Sequence, residues 1–136
     1  MRLWHYKLIP YLPKDMLISQ WRECIAIKRQ WEKGTLKHRL VSYVMNNDKG
    51  RFWLYTELVI QEMKGRNIKF KEKYFKEIAD FCEYHNVFTI FNEHNNRYLK
   101  QCLYNLQEKA DRGIVSSDEW KIIENKFKEE LKWERK

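Results

Sequence analysis

Glu23 is the residue best placed for chemistry, because nothing on its own helix answers its charge. On a helix the side chains within reach lie three and four residues away. For Glu23 these are Ser19, Gln20, Ala26 and Ile27, none of them charged. Arg22 is equally isolated, between Ile18, Ser19, Ile25 and Ala26. A carboxylate set against an apolar margin suits general acid/base work. The alternative is that a cation from another element pairs with it.

Other reactive side chains give weaker patterns. Cys24, Cys82 and Cys102 are an odd number, widely spaced and without a CxxC pair. That favours reduced thiols in a cytoplasmic setting over a disulfide framework. Cys82 and His85 have ligand-like spacing but lack a second pair, so a structural role is expected and no metal. No cofactor is expected either, since ligand clusters and phosphate-cradling glycine loops are missing from the sequence.

Charge narrows the partners. The chain has 136 residues, 27 Lys and Arg against 19 Asp and Glu, and a formal net charge of +8. Such an excess attracts polyanions, nucleic acid above all. Six Trp, eight Tyr and seven Phe accompany the cations; aromatic faces stack on bases or wedge between them. Most of these rings are nevertheless expected in a helical core. No apolar run is long enough to span a bilayer, and no cleavable leader pattern opens the chain.

These residues need elements to hold them. Four Gly, two Pro and pervasive helical spacing predict a mainly α, compact fold, one domain over residues 1–136. An extended N-terminal segment pinned by Pro10 and Pro13 precedes a helix from Lys14 to Glu32, stopped at Gly34. On that helix Met16, Leu17, Gln20, Trp21, Cys24, Ile25, Ile27 and Trp31 form one broad arc, core or interface. The basic loop Lys37-His38-Arg39 leads to Val41–Val44, readable as helix or strand, and residues 46–50 read as a turn. Further helices are predicted over Phe52–Lys64, Glu72–Tyr84 and His94–Ala110. A last one starts at a Ser116–Glu119 capping box and runs through Trp120, Ile123, Phe127 and Leu131. Residues 131–136 are expected to fray.

The opening Met1-Arg2-Leu3-Trp4-His5, followed by Trp21-Arg22-Glu23, resembles the pyrimidine-dimer DNA glycosylases of the phage endonuclease V type. Phe52-Trp53-Leu54-Tyr55 and Glu62-Met63-Lys64-Gly65-Arg66-Asn67-Ile68 look like that family's second helix and its basic end. The resemblance implies a metal-independent glycosylase and abasic-site lyase acting on double-stranded DNA with damaged pyrimidines or abasic sites. In that family the α-amine of the first residue is the nucleophile and a helix glutamate is the acid/base. Carried over, Met1 supplies the amine and Glu23 the carboxylate. Arg2 is too bulky for the initiator Met to be removed, so Met1 is expected to stay.

Sequence-independent DNA binding is assigned to Arg2, Arg22, Arg29, Lys37, His38 and Arg39. His5 and His38 are read either as phosphate contacts or as structural histidines, and Trp4 either as a wedge or as core. Where the phage enzyme has a basic residue three beyond its Glu, Ala26 stands here, with Lys28 or Arg29 as substitutes. A monomer is expected. The rival readings are a non-catalytic nucleic-acid-binding module and a helical protein-interaction domain.

Overall fold

Glycine and capping residues punctuate the helices much as their chemistry dictates. The computed structural model describes residues 2–83 and 87–132. Met1, Tyr84, His85 and Asn86 lie outside these, with residues 133–136, and so do the proposed amine and the histidine of the Cys82–His85 pair. Helix α1 spans Lys14–Lys33 and stops at Gly34, whose φ of 73° is a left-handed conformation that a side chain would disfavour. Helix α2 spans Lys49–Gly65, starting where the Asp48 side chain accepts a hydrogen bond from Arg51 N. Helices α3 (Glu72–Cys82) and α4 (Asn96–Asp111) follow. Helix α5 (Ser117–Lys126) opens with the reciprocal Ser116–Glu119 capping box, and α6 (Lys128–Leu131) closes the described chain.

The fold is mainly α, and the described residues contain no strand. Several boundaries differ from expectation. Ahead of α1 only residues 2–5, 12 and 13 lack regular structure, because Tyr6–Tyr11 winds into a 3₁₀ helix that includes Pro10. Pro10 has no N–H to lose, and its fixed φ suits a tight turn. Ser42–Asn46 is a second 3₁₀ helix. The 46–50 turn is shorter than predicted, since α2 already begins at Lys49. The last helix breaks at Phe127, whose φ/ψ of −113°/35° leaves the helical region. Leu131 does not fray: it is buried in the core.

Helix α2 buries residues on nearly every side, among them Phe52, Trp53, Tyr55, Thr56, Val59, Ile60 and Met63. Such a helix must be surrounded. It packs on α1, on α3 and on both 3₁₀ segments, while α4 packs on α5 and α6. The Tyr6–Tyr11 segment touches α2 and α5, so the start of the chain lies between its two halves. Leu3, Trp4, Leu8, Ile9 and Leu12 belong to the same contiguous core as the helices. Trp4 is thus core, the second of its two readings. Burying a Leu or Ile side chain contributes about 1.5–3 kcal/mol, enough to anchor a terminus that would otherwise fray. No helix of the described residues is long and apolar enough to cross a membrane.

Candidate active site

One helical face builds the floor of the site. Met16, Ser19, Gln20 and Glu23, spaced by three and four residues on α1, line a cleft of about 240 Å³. Arg2 and Trp4 from the N-terminal segment form one wall. Lys109 and Ile114, from the last turn of α4 and the loop after it, form the other. Gly113, at φ 77°, reverses the chain so that Ile114 N bonds to Lys109 O at 2.8 Å, fixing these two residues side by side. Ile114 stays 53% exposed at the rim.

Glu23 keeps the isolation predicted for it. Its Oε2 is buried and has no hydrogen-bond partner among the described residues. No ion pair to it forms there, so the alternative of a cation from another element is not realised. A buried polar atom left unpaired costs about 1–3 kcal/mol; Glu130 Oε2 is left the same way, but outside the cleft. Its neighbour Cys24 is no competing nucleophile, because burial pushes the thiol up to about 12.

The N-terminal wall is held by side chains from three helices. Gln20 Nε2 donates to Arg2 O at 2.8 Å, and Trp4 N donates to Gln20 Oε1 at 2.7 Å. Tyr98 Oη donates to Leu3 O at 2.5 Å, and Tyr55 Oη to Trp4 O at 2.6 Å. Leu8 N completes the series on His5 O at 2.9 Å. Four successive carbonyls, residues 2 to 5, are therefore each satisfied by a different donor.

His5 and His94 lock the next residues. His5 Nδ1 accepts from Lys7 N at 3.1 Å, and His94 Nδ1 accepts from Tyr6 N at 3.2 Å. Each ring must then carry its proton on Nε2. The His5 Nε2 proton points to His94 O at 3.0 Å, and that of His94 to Tyr43 Oη at 2.6 Å. Burial lowers His5 to about 4. Burial, with the adjacent His5, lowers His94 to about 3. His5 is 1% exposed and both its nitrogens are engaged, so its structural reading describes it and its phosphate-contact reading does not.

The assigned cations fall into distinct settings. Arg2 lines the cleft, its guanidinium 5.6 Å from the Trp4 ring centre. Arg22 is exposed beside Glu23 and makes no ion pair among the described residues. Lys37, His38 and Arg39 are exposed together, lining a separate surface concavity with Leu40. Arg29 instead forms a two-pronged pair with Glu77, at 3.1 and 3.3 Å. Lys28 is buried between Glu32 at 2.9 Å and Glu77 at 3.2 Å. Neither is a free substitute for a cation at Ala26, because the carboxylates of α1 and α3 already answer both charges.

A family model described as pyrimidine dimer DNA glycosylase matches residues 1–76, more than half of the chain. The chain belongs to the pyrimidine dimer DNA glycosylase family. No curated protein and no solved structure matches it. The glycosylase match spans α1, α2 and the start of α3, and with them every cleft residue except Lys109 and Ile114. Those two were missed by sequence reasoning. A lysine near a helix end and an exposed isoleucine after a glycine carry no signal until the chain is folded. Among the described residues no group of three His, Cys, Asp or Glu gathers as a metal site.

Proposed function

We propose that this member of the family is a pyrimidine-dimer DNA glycosylase and abasic-site lyase that works through the α-amine of Met1 and the carboxylate of Glu23. The observation that carries this reading is the buried, unpaired Oε2 of Glu23 in a cleft walled by the N-terminal segment.

An α-amine has a pKa near 7.7–8 against about 10.4 for lysine, so its neutral fraction at pH 7 is roughly a few hundred times larger. The amine lone pair forms a bond to the sugar C1′ while the C1′–N bond breaks; the base leaves with the electrons of that broken bond and takes up a proton, and the amine nitrogen gives one up. Opening of the sugar ring, with a proton delivered to the ring oxygen, converts the adduct to an imine. Loss of a C2′ proton then expels the 3′ phosphate by β-elimination, and water releases the amine. Glu23 supports the proton transfers and offsets positive charge at C1′.

Arg2 and Lys109 flank the cleft as phosphate contacts, with Arg22 beside it. Lys37, His38 and Arg39 add a second contact patch on the DNA backbone. A duplex hides C1′ within its stack, so distortion of the lesion accompanies binding. Borohydride trapping on an abasic or UV-irradiated duplex tests the reading. An adduct on the N-terminal peptide is expected; no adduct from protein with a verified free α-amine overturns it in favour of a non-catalytic module.

A further inference from the structure

The geometry points to Gln20 as the positioning residue that sets the register between the N-terminal amine and the Glu23 carboxylate; this role rests on the lyase reading above. Residues 2–5 lack regular structure and have no strand beside them. The Gln20 amide stands in for one. Its donor meets Arg2 O at 2.8 Å and its acceptor meets Trp4 N at 2.7 Å. These are the two bonds that one residue of a parallel strand makes to the residues flanking its partner, here Leu3.

The amide is itself immobilised. Gln20 is 1% exposed, and Tyr55 Oη lies 3.0 Å from its Oε1 while reaching Trp4 O at 2.6 Å. A glutamine pinned this way orders the chain without having to move to do so.

Gln20 and Glu23 are three residues apart on α1 and line the same cleft. Side chains at that spacing are neighbours, with Cβ atoms about 5–6 Å apart. One rigid helical turn therefore carries both the clamp on Arg2 and the acid/base. The amine proposed to react belongs to the residue bonded directly to the clamped Arg2. Positioning by a helix rather than a loop is what a reaction needs when a misplacement of about 1 Å costs about 100-fold in rate.

The test is single-turnover borohydride trapping on a saturating abasic duplex, read beside the Kd for that duplex and the thermal midpoint. Gln20→Leu is expected to slow adduct formation about 10- to 100-fold with Kd changed less than about twofold. Gln20→Glu keeps the acceptor for Trp4 N and loses the donor to Arg2 O, so its rate falls between wild type and Gln20→Leu. Equal rates per folded molecule, or a Kd that weakens as much as the rate falls, overturn the role. If both variants fail to fold, Tyr55→Phe loosens Gln20 and frees Trp4 O. Tyr98→Phe, which frees Leu3 O without touching Gln20, is the control. A rate slowed more by Tyr55→Phe than by Tyr98→Phe supports the role, and equal rates overturn it. Wild-type protein that gives no adduct sinks the lyase reading itself, and the positioning role with it. Wild type that traps beside equally fast Gln20 variants sinks only the positioning role.

Discussion

Gln20 and Glu23 share one turn of α1 and one cleft, yet their polar atoms have opposite fates. Both ends of the Gln20 amide are bonded to the N-terminal segment, whereas Glu23 Oε2 is buried with no partner among the described residues. The first satisfies a wall of the site and the second is left for something that enters it.

Glu23→Gln separates chemistry from folding. Losing the carboxylate should lower imine trapping and strand nicking by about 10²–10⁴. Stability should change little, since the carboxylate oxygen being replaced has no hydrogen-bond partner among the described residues to lose. Thermal denaturation beside a trapping assay reads both, and a fall in stability with full activity contradicts the assignment.

Acetylating the Met1 amine should abolish the adduct and leave duplex affinity intact. In the unmodified protein the trapping rate should fall about tenfold per pH unit below about 7.7, as the amine gains its proton. A rate–pH profile with its midpoint near that of an ordinary lysine would point to a different nucleophile.

Arg22 and Arg29 should behave differently although both lie on α1 and both are exposed. Arg22→Ala and Lys109→Ala should each reduce the slope of log affinity against log salt by about 0.9, the loss of one phosphate contact. Arg29→Ala should leave the slope unchanged and lower the thermal midpoint, because its partner is Glu77. Binding titrations at several salt concentrations distinguish the three.

Stability should fall as pH drops below about 6.5. His5 and His94 have ordinary values of 6.5 that burial lowers to about 4 and about 3. Between those values and 6.5 the unfolded chain binds protons that the folded chain refuses. The stabilisation is therefore complete above about 6.5 and is lost as pH falls towards 3. The loss through His5 alone is on the order of 3 kcal/mol by pH 4. Urea titrations at pH 7, 5.5 and 4.5 measure it, and His5→Gln should flatten the upper part of the curve.

Local chemistry made much of the framework readable. Gly34 and the Ser116–Glu119 pair set helix ends through backbone conformation and capping, which act within a few residues. The isolation of Glu23 was visible for the same reason, since helical neighbours follow from spacing alone. Lys28 carried a readable signal too: Glu32 lies four residues on and pairs with it, which argued against a free cation. Its second partner, Glu77, comes from α3 and could not be read that way. Lys109 and Ile114 reach the cleft, and Tyr98 and His94 the N-terminal segment, only through tertiary packing, and no local pattern announces such contacts. Gln20 was placed on the buried arc, but the backbone groups it holds belong to a segment whose path spacing does not define.

The carbonyl of Leu3 waits for a hydroxyl 95 residues later, and Tyr6 N for a ring 88 residues later. During synthesis the segment that emerges first is therefore not fully fastened until α4 has been made. Domains generally fold as units as they are made, and here the amine-bearing end has no complete seat until α4 has left the ribosome and docked. A chain that ends before His94 keeps the two bonds from Gln20 to the segment but lacks those from Tyr98 and His94. On the proposed mechanism, an unfinished chain would carry the reactive terminus without the fastening that the folded protein supplies.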